Sequence, residues 1–200
     1  MNTKHNYRDK EGRPIFLNSS ETFPLDRPHA GEEIEIIVKG GAIRIAANQY
    51  KNTEDMTLAF ACRADIFKFQ YPRDLEITIE AVADTTCFVK SRSKTKSNTS
   101  DSIMDWIIQL HIVRHEANLE SRLMKFFELL MHRLGKRTSK GLLLEHTLPH
   151  ARIAEIVGST RSTVSRTISK LRKTQPQTKA LIPIPVSDQI NHQLIYCLNG

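Results

Sequence analysis

The stretch Leu148–Lys173, LPHARIAEIVGSTRSTVSRTISKLRK, constrains this chain more than any other. It predicts two short helices joined by a tight turn. In the first, Ile153, Ile156 and Val157 share one apolar face at helical spacing. Gly158 supplies the stop, because the residue just past a helix often needs positive φ. Ser159 or Thr160 is placed to cap the next helix with a hydroxyl. In the second helix, Val164, Ile168 and Leu171 fall within an arc of roughly 60°. Arg161, Ser162, Ser165, Arg166, Ser169, Arg172 and Lys173 occupy a separate arc of roughly 140°. One face is built to pack, the other to meet acceptors and negative charge. A solvated surface helix has the same pattern when taken alone. The preceding helix, the glycine turn and the local charge favour a DNA recognition helix instead.

Charge is distributed to match. Residues 1–90 carry 12 basic and 14 acidic side chains, a net of −2, whereas residues 131–180 carry 11 basic and 2 acidic, a net of +9. A small basic unit attached to a near-neutral one suits a nucleic-acid binder with a separate sensing or assembly module. No apolar run is long enough to cross a membrane, and the first residues lack the apolar core of a signal peptide. A soluble cytoplasmic chain with no membrane partner is expected. Cys62, Cys87 and Cys197 are odd in number and widely separated, suggesting neither a disulfide framework nor a metal site.

Ahead of the basic unit, residues 1–20 read as an irregular or weakly helical lead-in. From Thr22 to about Lys90 short β-branched runs predict strands. Those around Ile34–Val38 and Ile43–Ile45 read as a hairpin about Gly40-Gly41, and 57–62, 76–82 and 86–89 add further strands. The expectation is a small β barrel or roll. Residues 90–100 have linker composition, with Ser100 or Asp101 as the cap of a helix over 101–117. In that helix Ile103, Trp106, Leu110, Val113 and Ala117 repeat at a and d positions, the seam of a coiled-coil dimer. Packing of the same stripe on the chain's own roll is the alternative. His111 and His115 stand four apart, which is metal-ligand spacing, but no acidic or cysteine partner completes a site, and no metal is expected. Asn118 caps a helix over 119–134, which Gly135 ends. Residues 141–147 read as a strand, and 181–186 with 192–198 as a wing hairpin.

This order of parts resembles the catabolite-activator/FNR superfamily of bacterial transcription regulators, most specifically through IAEIVGSTRSTVSRTISKLRK. The run KGLLLEHTLPHARIAEIVGSTR is similar to the cyanobacterial nitrogen-control regulators and their plastid-encoded relatives, and IIVKGGAIRI resembles the hairpin opening the family's sensory roll. The resemblance implies an α+β chain. A β-roll (double-stranded β-helix-like) sensory domain would occupy 1–98, a dimerisation helix 99–118 and a winged helix-turn-helix domain 119–200. It implies a homodimer on an inverted-repeat operator, with RNA polymerase as a further partner. The compartment would be the cytoplasm, or the plastid stroma if the chain is plastid-encoded.

Base reading would then fall to Arg161, Ser162, Ser165 and Arg166. Phosphate contacts would come from Lys136, Arg137, Lys140, Ser159, Thr160, Thr163, Ser169, Lys170, Arg172 and Lys173. Ser162 stands where the catabolite activator has a glutamate, so a different preferred site is expected. Pro149 replaces the usual hydroxyl cap of the first helix. In the roll, Ile77 and Thr78 occupy the positions of the family's phosphate-gripping Arg-Ser or Arg-Thr pair, which argues against cyclic AMP. Arg73 is the nearest candidate cation for an effector, although Asp74 beside it opposes an anion. 2-Oxoglutarate as effector, and the loss of any effector, both stay open. A cupin-type metalloenzyme would need clustered histidines, of which the roll has only His29. A module that binds another regulator is the remaining alternative.

Overall fold

The computed structural model of the protein describes residues 14–29, 32–49, 55–93, 101–138 and 141–174. It divides into two compact units, residues 1–107 and 108–200, with the boundary inside the first helix.

The first unit holds eight strands: β1 (Pro14–Leu17), β2 (Thr22–Pro24), β3 (Glu32–Gly40), β4 (Ala42–Gln49), β5 (Met56–Cys62), β6 (Ile66–Phe69), β7 (Leu75–Ala81) and β8 (Thr85–Ser93). They form two antiparallel four-stranded sheets, ordered β1-β8-β3-β6 and β2-β7-β4-β5. Alternation explains why they stack. Ile34, Ile36, Val38, Phe67, Phe69, Cys87 and Val89 project from one face of the first sheet. Ile43, Ile45, Ala47, Ala59, Ala61, Ile77, Ile79 and Ala81 project from one face of the second, and all are buried.

Two strand expectations need correction. The segment at Pro14–Leu17, whose sequence reads as irregular or weakly helical, is a strand paired with β8. The expected hairpin about Gly40-Gly41 does not form. β3 pairs with β6 and β8, β4 pairs with β5 and β7, and the two glycines turn the chain from one sheet to the other. Gly41 has φ +76°, and a Cβ there would run into the Asp84 carbonyl and the Thr85 hydroxyl. That hydroxyl lies 2.7 Å from the Ala83 carbonyl and 3.0 Å from that of Ala42, which also accepts from the Val82 amide at 2.8 Å, so the corner is held by its neighbours rather than closed as a hairpin turn.

Helix α1 (Ser102–Arg114) begins at Asp101, whose Oδ1 accepts from the amides of Ile103 and Met104 at 2.9 and 3.2 Å. The helix ends three residues short of the expected Ala117. Helix α2 (Leu119–Leu134) has the expected bounds. Asn118 caps it by accepting from the Ser121 amide, and Leu123, Phe126, Phe127, Leu130 and Met131 are buried. A small hairpin follows, β9 (Lys136–Thr138) with β10 (Gly141–Leu143); residues 144–147 do not continue the strand. Helices α3 (His150–Val157) and α4 (Arg161–Thr174) complete the described fold. The wing expected over 181–198 lies outside the described residues.

Candidate nucleic-acid interface

Helix α3 begins at Pro149, which provides no side-chain cap, although its carbonyl still accepts from Arg152 and Ile153. The helix ends in a left-handed residue, Gly158, at φ 64° and ψ 56°. The Ser159 amide returns to the Ala154 carbonyl at 2.9 Å. Of the two candidate caps for α4, Thr160 takes the role: its Oγ1 accepts from the Thr163 amide at 3.2 Å. Ile153, Ala154, Ile156 and Val157 on α3, with Val164, Ile168 and Leu171 on α4, are buried. That apolar stripe fixes which side of α4 faces outward.

The outward side has the expected composition. Arg161, Ser162, Arg166, Ser169, Lys170 and Lys173 are exposed, and Ser165 is half-buried. Ser165, Arg166, Ser169, Lys170 and Lys173 line one shallow concavity. Of the base-reading set, Arg161, Ser162 and Arg166 are therefore exposed, while Ser165 is half-buried beside them.

The phosphate-contact set divides. Arg137 and Lys173 are exposed, Ser159 and Arg172 are half-buried, and Lys140 lies outside the described residues. Lys136 Nζ bonds Glu145 at 2.8 Å, and Lys170 Nζ bonds Glu120 at 2.6 Å. These two lysines are charge-neutralised in place and must leave a carboxylate to reach a phosphate. Such exposed pairs are worth only about 0–1 kcal/mol, so the exchange costs little. The hydroxyls are also engaged. Thr160 and Thr163 Oγ1 atoms lie 2.8 Å apart, and Ser169 Oγ donates to the Ser165 carbonyl at 2.9 Å.

Two residues outside the expected set hold the turn. Arg114 donates from Nε to the Ile156 carbonyl at 2.7 Å and from Nη2 to the Glu155 carbonyl at 2.6 Å. Arg122 donates from Nη1 to the Val157 carbonyl at 2.7 Å. The end of α3 thus receives two guanidinium groups at its last carbonyls, where its dipole is negative. No local pattern marks these arginines, because their acceptors lie some forty residues away.

The roll places the expected effector residues differently. Arg73 is exposed in the connection between β6 and β7, beside the exposed Asp74. Ile77 is in the core and Thr78 follows it within β7, so neither position offers a cation. Among the described residues, the buried cation is Arg44, which lies between Ile43 and Ile45 in β4. It bonds Thr57 Oγ1 at 2.7 Å, Asp55 at 2.9 Å and Glu80 at 2.7 Å. Among the described residues, no group of three or more His, Cys, Asp or Glu side chains is placed to hold a metal.

The assignment of Ile103, Trp106, Leu110 and Val113 to a dimer seam is corrected. All four are buried within the chain, and Phe60 meets Trp106 edge-on with ring centroids 5.6 Å apart. Ala117 lies beyond the helix. A different apolar face of α1 is exposed, with Met104 56%, Ile107 38%, Ile108 51% and Ile112 43% accessible.

Comparison with known proteins gives this geometry a context. Residues 121–175 match the model of the Crp-like helix-turn-helix domain. No curated protein matches the sequence. Among solved structures, the chain is similar to FixK2 from Bradyrhizobium japonicum, with TM-score 0.61, 18% identity, and 81% of this chain and 85% of that chain covered. It is also similar to a CRP/FNR-family transcriptional regulator from Thermus thermophilus, with TM-score 0.55, 15% identity, and coverage of 82% and 87%. A CooA mutant from Carboxydothermus hydrogenoformans gives TM-score 0.53, 21% identity, and coverage of 82% and 78%. The chain thus has the fold of CRP/FNR-family regulators and carries at residues 121–175 a segment matching their Crp-like helix-turn-helix domain.

Proposed function

We propose that the protein is a sequence-specific DNA-binding transcription regulator that acts as a homodimer. The observation that carries this reading is the outward face of α4, where Arg161, Ser162 and Arg166 project from a helix whose opposite side is buried. Arginine forks suit guanine edges, a serine reads donor or acceptor, and Lys173 further along the same helix suits a phosphate. The match to a Crp-like helix-turn-helix supports it independently.

The dimer is assigned to the exposed face of α1. Met104, Ile108, His111 and His115 follow a 4-3-4 spacing, the interval of a coiled-coil seam, with Ile107 and Ile112 flanking it. Parallel pairing of two copies along this seam would present two α4 helices to successive major grooves, about 34–36 Å apart. RNA polymerase is the partner through which such a regulator would act, and nitrogen control is the pathway assigned. A cyclic phosphate is disfavoured as effector, since Ile77 and Thr78 offer it no cation; 2-oxoglutarate and the loss of any effector are the two readings kept for the roll.

Selection of bound sequences from a random DNA library, with and without 2-oxoglutarate, tests this reading. An enriched inverted repeat is expected. Enrichment of a single half-site removes the dimer, and no enrichment at all removes sequence-specific binding. Enrichment that ignores 2-oxoglutarate removes that effector alone.

A further inference from the structure

Two histidines extend the apolar face that α1 leaves exposed, His111 in its last turn and His115 one residue past its end. His111 and His115 lie on the same side as Met104 and Ile108, and both are exposed. Their Nε2 atoms are 3.0 Å apart, with ring centroids 4.4 Å apart and planes inclined at 70°. Such a pair suits one ion. Imidazole nitrogens bind zinc at about 2.0–2.1 Å, and two nitrogens 3.0 Å apart at that radius subtend roughly 95° at the metal. A tetrahedral ion would need them about 0.3 Å further apart, within the reach of a small side-chain rotation. In the metal-free pair one Nε2–H donates to the other Nε2, so binding requires the donating ring to carry its proton on Nδ1 instead.

Within one chain the pair is incomplete, because no third His, Cys, Asp or Glu joins it among the described residues. A second copy changes this. In a parallel two-fold pairing along the 4-3-4 seam, His111 faces its own counterpart and so does His115. Four imidazoles then converge on the axis. That donor set suits zinc, copper(II) or nickel(II) and does not suit calcium or magnesium.

We infer that His111 and His115 form half of a transition-metal site that a second copy of this chain completes, so that the metal tightens the dimer. The inference rests on the dimer reading above. It gives the regulator an input separate from any ligand of the roll.

The test uses the untagged full-length chain. Sedimentation equilibrium at low micromolar concentration compares Zn²⁺ with EDTA, and calorimetry gives the stoichiometry. The expected result is one Zn²⁺ per two chains and a dimer dissociation constant at least tenfold lower in Zn²⁺. Both effects should vanish in the His111→Gln/His115→Gln double variant, which keeps the metal-free dimer. Both side chains are exposed, so this variant should fold, and its circular dichroism should match the parent's. Ile108→Glu should abolish the dimer and the two-chain stoichiometry together.

A dimer in EDTA that ignores Zn²⁺ overturns the metal site while leaving the dimer reading intact. A zinc response that survives the double variant places the site elsewhere and also overturns it. Chains that stay monomeric under both conditions, with or without one ion each, overturn the interface and the metal site together.

Discussion

The guanidinium of Arg114, at the last residue of α1, holds the carbonyl of Ile156 near the end of α3 at 2.7 Å. Its second arm reaches Glu155, and Arg122 reaches Val157 from α2. The turn before the recognition helix is thus held by charge from two other helices. Arg114→Ala should destabilise this unit by about 1–2 kcal/mol, because two charge-assisted bonds to the last carbonyls of α3 are lost. Arg114→Lys should recover little, since a single ammonium lacks the two-armed fork. Faster amide exchange at Gly158 and Ser159 in Arg114→Ala is the measurement; unchanged exchange would deny the clamp its role.

Arg161→Ala and Arg166→Ala should each weaken binding to a selected operator by about 1–3 kcal/mol and affect random DNA much less. Lys173→Ala should weaken both equally and reduce the salt slope by about one. Fluorescence anisotropy titrations at several salt concentrations would separate the two behaviours.

Gly41 and Gly158, both left-handed, should respond differently. Gly158→Ala should cost about 1–2 kcal/mol, the penalty of a Cβ at positive φ, because its nearest neighbour, Arg122 Nη1, stands at an ordinary contact distance of 3.6 Å. Gly41→Ala adds a collision with the Asp84 backbone and should cost more than about 2 kcal/mol. Urea unfolding followed by roll and helix probes separately would read both.

Arg44 is fully buried between Asp55 and Glu80. Arg44→Met should destabilise the roll by about 3–5 kcal/mol, because two carboxylates lose their shared cation. Adding Glu80→Gln should recover part of that loss. A double variant no more stable than Arg44→Met would show that packing, rather than charge, sets the cost.

His146 is half-buried, and burial lowers its pKa below the ordinary 6.5, opposed in part by Glu145. The unfolded chain therefore binds more protons than the folded one between the two values, and stability rises with pH across that window. Stability conferred by neutral His146 is fully present above about 6.5 and declines as pH falls below it. The difference in urea midpoint between the parent and His146→Gln, followed from pH 7.5 to about pH 5, isolates this group. A difference that does not change with pH would remove the effect.

The helical half was largely legible in the sequence because its signals are local. Asn118, Gly158 and Thr160 mark helix ends within a few residues of the bonds they make. Val164, Ile168 and Leu171 separate themselves from the arginines by period alone. The roll was legible only as strands. A Gly-Gly between two β-branched runs reads locally as a hairpin, yet nothing local specifies that β3 should pair with β8 and β4 with β7. Likewise Arg44 alternates with Ile43 and Ile45, which places a polar side chain on the other face without saying that this face is covered.

Helix α1 separates the two kinds of information most sharply. Periodicity singles out the stripe over Ile103, Trp106, Leu110 and Val113 and says nothing of which surface receives it. The sequence by itself determined a basic α4 with one packing face, and where each flanking helix begins. Tertiary structure decided that Ile103, Trp106, Leu110 and Val113 are buried within the chain and that Met104, Ile107, Ile108 and Ile112 remain exposed. The physical reason is that burial depends on which surface is available to receive a stripe. For Trp106 that surface is Phe60, a residue 46 positions earlier in the chain that only the folded sheet brings near.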